Sequence, residues 1–191
     1  PREMRTVFVP VYQVDASIPT DGDEIPLCAA GVETCLALLG HGCFDPGELK
    51  ASFGNCQGVM ATGGDPSRGA EGLLTTVAYT RGGWLTYALD GEIAAAGALV
   101  HWAIGLGVAS SLSELDELAG SVDGAGGAVI VPAISGLGAP HWRHDVTGAV
   151  VGLTEAFARP QFARATFDAS AWSLRPVLVA LSLAGVPGGE L

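Results

Sequence analysis

Positive charge is scarce in this chain: nine Lys plus Arg stand against twenty Asp plus Glu in 191 residues, a net charge of −11. The nine are scattered singly and form no basic stripe. Electrostatics of that sign oppose contact with a phosphate backbone, so nucleic acid is not expected as a partner. Charge of either sign is thin, at 15% of residues where roughly 25% is usual. Long apolar runs are also missing. The longest stretches, such as Ile93 to Leu106, are broken by Gly and His, short of the roughly 20 residues a membrane span needs. No membrane partner is expected. The mean hydropathy of +0.40 instead implies buried structure, or surface meant to meet something.

Cysteine is confined to the first third, at Cys28, Cys35, Cys43 and Cys56. These spacings match no metal or redox pattern, and no signal peptide precedes them. Reduced, mostly buried thiols in a cytoplasmic protein are the expectation. The chain opens Pro-Arg-Glu-Met with no Met at position 1, a hint that it is cut from something longer.

Strand and helix signals alternate along the chain, without internal repeats, which favours an α/β fold. Thr6 to Val14 is β-rich, Ile18 to Glu24 reads as a turn-forming linker, and Glu33 to Leu39 as a short helix ended by Gly40 and Gly42. Leu49 to Asn55 and Gln57 to Thr62 read as strands meeting at a tight Gly54-Asn55-Cys56 turn, before a surface loop at Gly63 to Gly69. Arg81-Gly82-Gly83 is a hairpin signal between Leu73 to Tyr79 and Trp84 to Leu89. Ile93 to Leu106 reads as helix, and Ser111-x-x-Glu114 has the spacing of a capping box.

Ala128 to Ile134 is predicted to be a central buried strand, and Gly148 to Leu153 a further one. Pro160 suits the start of a helix running toward Leu183. Pro176 falls inside that helix, where proline costs roughly 3 kcal/mol, so a kink or break is predicted near Arg175. Beyond it, Val179 and Leu181 are expected to be exposed if no strand follows. His141-x-x-His144 lacks a third ligand in the sequence and is a weak metal signal.

Several runs carry a family resemblance. Ser135-Gly-Leu-Gly-Ala-Pro-His-Trp142 is followed by Gly148-Ala-Val-Val-Gly-Leu-Thr154, then Gln161-Phe162 and Ala165-Thr-Phe-Asp168. Together they resemble the C-terminal signature of the FGGY family of carbohydrate kinases. The resemblance implies that the glycines and proline shape a structural loop between strands, and that His141, standing where the family usually has Tyr, has a packing role. Glu71 to Tyr79, Tyr87 to Gly97 and Gly40 to Gly54 resemble its glycerol kinase-like members, in the family's order. The resemblance implies the actin-like (ribonuclease H-like) fold, with residues 1–191 forming part of the second domain of a two-domain kinase. It also implies that the first domain, with its phosphate-binding Asp-Gly-Thr motif, and the final adenosine-binding segment are absent. ATP, Mg²⁺ and a small sugar or polyol are the implied ligands, and truncation of the sheet implies homo-oligomers formed through exposed apolar surface.

Phosphoryl transfer to a hydroxyl needs a carboxylate to take the proton, with backbone dipoles and a metal for the phosphates. Ungapped alignment on Gly40 and Phe53-Gly54 puts the family's catalytic Asp on Glu33, and the Gln that helps to hold the substrate on Thr34. The acid survives one methylene longer, and a displacement of about 1 Å costs on the order of 10²-fold in rate. Without the resemblance, Glu33 reads as a solvated acid favourable to a helix start.

The family's nucleotide-approaching Gly-Thr-Gly becomes Gly54-Asn55-Cys56, and an aromatic residue that flanks glycerol becomes Gly58. Gly97 matches a glycine that admits the nucleotide, and tight helix packing is its other reading. These replacements leave two functions open, a carbohydrate kinase or a non-catalytic relative that binds nucleotide, sugar or a partner. A free-standing interaction domain is the third reading, resting on the chain's shortness. The 191 residues alone are not expected to catalyse.

Overall fold

The computed structural model describes residues 12–19, 24–54, 57–63, 69–81, 84–94 and 96–186. Two strands open it, β1 (Tyr12–Pro19) and β2 (Glu24–Ala30), paired antiparallel. The strands thus run into both ends of the expected 18–24 linker, leaving a hairpin connection between them. The β-rich stretch expected at 6–14 lies largely outside the described residues.

Helix α1 (Glu33–Gly40) follows, then β3 (Leu49–Phe53), β4 (Gln57–Thr62), β5 (Leu74–Arg81) and β6 (Trp84–Ile93). These four strands form an antiparallel sheet in the order β3-β4-β6-β5. Arg81 pairs with Trp84, so β5 and β6 form a hairpin where the sequence signalled one at Arg81-Gly82-Gly83, with Arg81 itself the last residue of β5.

Alternation along these strands separates two apolar faces. Val59, Ala61, Leu89 and Ile93 join one core with Val177 and Leu181. Met60 and Ala88 point the other way and pack with Cys35 and Leu38 of α1. One helix therefore covers each face. On the first face the backbones approach closely: a Cβ on Gly91 of β6 would overlap Val177 Cγ1.

Helices α2 (Ala96–Gly105) and α3 (Leu112–Gly120) pack against the first half of α4 (Arg159–Leu183). Ser111 Oγ accepts from Glu114 N at 3.1 Å, as the capping spacing predicts. The carboxylate of Glu114, however, accepts from Ser110, from its N–H at 2.7 Å and its hydroxyl at 2.6 Å. Its other oxygen takes Arg159 Nη2 at 2.6 Å, while Arg159 Nε reaches Val108 O at 2.6 Å. That tie joins the start of α3 to the start of α4.

Three expectations are corrected. Val129–Val131 (β7) is a short strand paired, among the described residues, with Ala149–Val151 (β8) alone. Only Ile130 is buried, whereas Val129 and Val131 are exposed. Pro132 has no N–H to extend the ladder, so among the described residues the run is an edge element, not a central strand.

Helix α4 also continues unbroken through Pro176. Val177 and Leu181 beyond it are 0% and 2% exposed. Burying such side chains gains about 1.5–3 kcal/mol each, enough to offset the proline. Leu181 is therefore core, while Val179 is exposed as expected.

The third correction concerns His141, which is exposed. In its place Trp142 packs against the core and donates Nε1–H to Gly72 O at 2.8 Å. The surrounding stretch is the loop between β7 and β8. It clasps β6 through Ala139 N–H to Glu92 O at 2.7 Å, and a Cβ on Gly138 would overlap that same carbonyl.

Leu181→Ala should cost about 2–5 kcal/mol. Leu183→Ala, two residues on and 85% exposed, should stay within about 0.5 kcal/mol. Urea denaturation of the two variants checks the pair.

Candidate active site

The face of the sheet covered by α1 is anchored from one side. Thr62 Oγ1 donates to the carbonyls of Asp45 and Glu48, and Tyr79 Oη to those of Cys43 at 3.4 Å and Phe44 at 3.3 Å. These bonds fix the chain leaving α1 against the ends of β4 and β5. Further back in α1, Cys35 Sγ donates to Val77 O at 3.8 Å. Burial pushes this thiol up, a Thr34 hydrogen bond opposes the shift, and the charges of Asp90 and Lys50 also reach it. Cys35 and Cys43 are both buried free thiols, while the side chains of Cys28 and Cys56 lie outside the described residues.

Glu33 is the first residue of α1, after Val32 in extended conformation. Glu33 and Thr34 are both exposed. An acid there is favoured by the partial positive charge of the helix start. Gly54 follows the last residue of β3, at the end of the sheet where Phe53 pairs with Gln57 and Gln57 with Ile93. Gly97 lies in the first turn of α2, four residues beyond that end of β6. The fold thus gathers Gly54 and Gly97 at one end of the sheet, while Glu33 and Thr34 stand exposed at the start of α1, the helix that covers one face of it. Asn55 lies outside the described residues, as does Cys56.

Residues the sequence did not single out lie on that same face. Lys50 and Asp90 both stand in register with Met60, on β3 and β6 respectively. Lys50 is 6% exposed, and its amine donates to Ser52 Oγ at 2.7 Å. Among the described residues no carboxylate lies within ion-pair distance of it. Burial raises the Asp90 carboxyl to about 6, helped by Glu92 and opposed by Lys50. In the sequence both read as the polar members of alternating strands, the solvent side of a sheet. An acid inside Tyr87-Ala-Leu-Asp-Gly91 was the available signal.

On the opposite face, a cavity of about 640 Å³ lies between β7, Gly136 to Ala139 and α4. Its walls are mainly apolar, with Asp168 and His141 among the polar residues. Among the described residues no three His, Cys, Asp or Glu side chains come together as a metal-binding group. None of the described helices is long and apolar enough to cross a membrane.

Comparison with known proteins identifies the class. Residues 49–190 match the C-terminal domain model of the FGGY family of carbohydrate kinases. The chain belongs to that family. It is 46% identical over 159 residues to glycerol kinase of Methylorubrum populi, covering 81% of this chain and 32% of that protein. It is 44% identical over 172 residues to glycerol kinase of Renibacterium salmoninarum, covering 88% and 34%. The chain therefore spans about a third of the length of these relatives.

Among solved structures, Plasmodium falciparum glycerol kinase with ADP superposes with a TM-score of 0.77 at 28% identity, covering 87% of this chain and 34% of that one. Xylulose kinase from Rhodospirillum rubrum superposes at 0.71 with 24% identity, covering 91% and 34%. The fold is the actin-like ATPase fold, as the sequence led one to expect, and the chain superposes on about a third of each of these kinases.

The raised Asp90 carboxyl has a definite pH signature. The folded state binds a proton more tightly than the unfolded state, whose carboxyl titrates near its ordinary 3.8. Stability should therefore fall as pH rises from about 4 to about 6, by roughly 2–3 kcal/mol, and level off above. Asp90→Asn should flatten that segment of the pH profile in urea denaturation.

Proposed function

We propose that the full-length protein carrying this chain transfers the γ-phosphoryl group of ATP to a hydroxyl of a small sugar or polyol, with Glu33 as the general base. The observation that carries the reading is the placement of Glu33 at the exposed start of α1, over the sheet whose edge turn holds Gly54. Glu33 takes the proton of the attacking hydroxyl, the substrate oxygen bonds to the γ-phosphorus, and the bond to the bridging oxygen breaks to release ADP. Thr34, next along α1, offers a hydroxyl to the substrate.

Gly54, Asn55 and Gly97 form the nucleotide side of the site. Gly97 carries no side chain in the first turn of α2, where helix N–H groups lack intrahelical partners and favour anionic oxygens. The described residues fit phosphate in that respect. Mg²⁺ commonly relies on substrate phosphates plus one or two carboxylates, so it would be held chiefly by the bound nucleotide.

The same reading takes residues 1–191 as part of the kinase's second domain and places the protein in the cytoplasm, consistent with its buried free thiols. It also gives the isolated chain a tendency to form homo-oligomers, because Val129, Val131, Val151 and Trp172 expose apolar surface around a short open strand pair. Sedimentation should then show mass rising with concentration.

A non-catalytic relative is the second reading. Glu33, Asn55, Cys56 and Gly58, in place of the family's Asp, Thr, Gly and aromatic residue, favour it.

Assays of the full-length protein with ATP and a polyol and ketose panel separate the two. Glu33→Gln should lower kcat by about 10²–10⁴-fold in a protein that still binds substrate. Absence of turnover with every substrate in folded wild-type protein would move the assignment to the second reading. The 191-residue chain alone should show no turnover, because it supplies one wall of the cleft.

A further inference from the structure

Stability does not call for Pro176. An interior proline has no N–H to donate, so the carbonyl of Trp172, one turn back in α4, loses its helical partner. Burial of Val177 and Leu181 offsets that cost without requiring a proline between them and Trp172. Trp172, Ser173 and Pro176 all line the cavity of about 640 Å³ between α4, β7 and the Gly136 to Ala139 stretch. The freed carbonyl therefore belongs to a cavity wall. A volume of this order suits a small organic ligand. Among the described residues, none of those assigned to substrate or nucleotide (Glu33, Thr34, Gly54 and Gly97) lines it.

Two further polar groups on this wall are acceptors. Asp168 Oδ1 takes Arg164 Nε at 2.8 Å, while Oδ2 accepts no hydrogen bond among the described residues. Ser173 gives its hydroxyl proton to Ser170 O at 2.6 Å, which leaves its oxygen to accept. Asp168 and Trp172 stand four residues apart, so they share one face of the helix. No Lys or Arg lines the cavity, and Arg164 itself is not part of the wall. The side-chain donors there are the Trp172 indole N–H and the His141 ring, both on exposed residues that water can serve.

We infer that this cavity binds a small organic amine, an ammonium head on an apolar ring or chain. An ammonium brings three donors and no acceptor to a helix face that offers Asp168 Oδ2, Ser173 Oγ and the Trp172 carbonyl. The aromatic side chain of Trp172 suits a cation as well. The apolar body of the ligand lies against Ile130, Ala165 and Ala169, which line the same space. The net charge of −11 favours the approach of a cation. A carboxylate in the same place would bring acceptors to acceptors and negative charge to Asp168.

The test is calorimetric titration of the full-length protein with tryptamine and indole-3-propionate, which share a ring and carry heads of opposite charge. Tryptamine should bind at least tenfold more tightly than indole-3-propionate, and saturating ADP and glycerol should leave its affinity unchanged. Asp168→Asn, which keeps the size of the side chain, should weaken tryptamine at least tenfold. Pro176→Ala restores a partner for Trp172 O, so it should weaken tryptamine at least threefold while raising Tm. That variant is expected to fold at least as well as the parent, which keeps the comparison clean. Absence of tryptamine binding, equal affinity for the two probes, or displacement of tryptamine by ADP or glycerol would overturn the inference. Unchanged affinity in either variant would overturn it as well.

Discussion

Much of the structure depends on how closely α4 lies against the four-stranded sheet. At Gly91 the strand backbone meets Val177 with no side chain between them, and Leu181 closes the same core one turn on. Earlier in α4, Ala163, Ala165 and Ala169 are nearly solvent-free and receive α2, α3 and Ile130 of β7. Small residues along one helix thus set the positions of the elements beyond β6. The far end of α4 meanwhile holds β4 and β6 flat against it. A helix packed so tightly tolerates an interior proline, because losing one backbone hydrogen bond is a small term beside the side chains the helix buries.

The Gly-rich connection between β7 and β8 serves that same sheet. Its Ala139 N–H bonds the backbone carbonyl of Glu92, and Trp142 reaches back to Gly72 ahead of β5. The loop therefore fastens the end of β6, from which α2 departs toward the nucleotide side of the proposed site. Its histidines are exposed and contribute no core packing. A conspicuous sequence run can owe its composition to backbone fit, with the chemistry lodged in less conspicuous strands.

Opposed to that tightly packed face is one that buries a single charge, the ammonium of Lys50. Lys50, Asp90 and Glu92 stand on the α1 side of the sheet, where Met60, Ala88, Cys35 and Leu38 also pack. Burying Asp90 near Glu92 raises its carboxyl and weakens the fold at neutral pH. A protein that needed only stability would place an apolar pair there. Retaining Lys50 and Asp90 with no ion pair among the described residues is the pattern expected where binding, not folding, decides the residue.

Local signals in the sequence carried most of the architecture. Gly82-Gly83 between alternating runs specified the β5–β6 hairpin, and Ser111-x-x-Glu114 specified the start of α3. The fixed spacings from Gly148 to Asp168 pointed to the family, because glycines at close backbone approaches and small residues on one helix face recur at set intervals. Burial was decided by tertiary structure. Ala128 to Ile134 is apolar enough for a central strand, yet which of its faces is covered depends on α4 and on its pairing with β8 alone among the described residues. Pro176 reads as a break until the core behind Val177 and Leu181 is known. Lys50 and Asp90, forty residues apart, read as solvent-facing members of two strands. Only the register through Met60, and the helix laid over it, sets them in one row on the covered face, since alternation names two faces but not which of them α1 will cover.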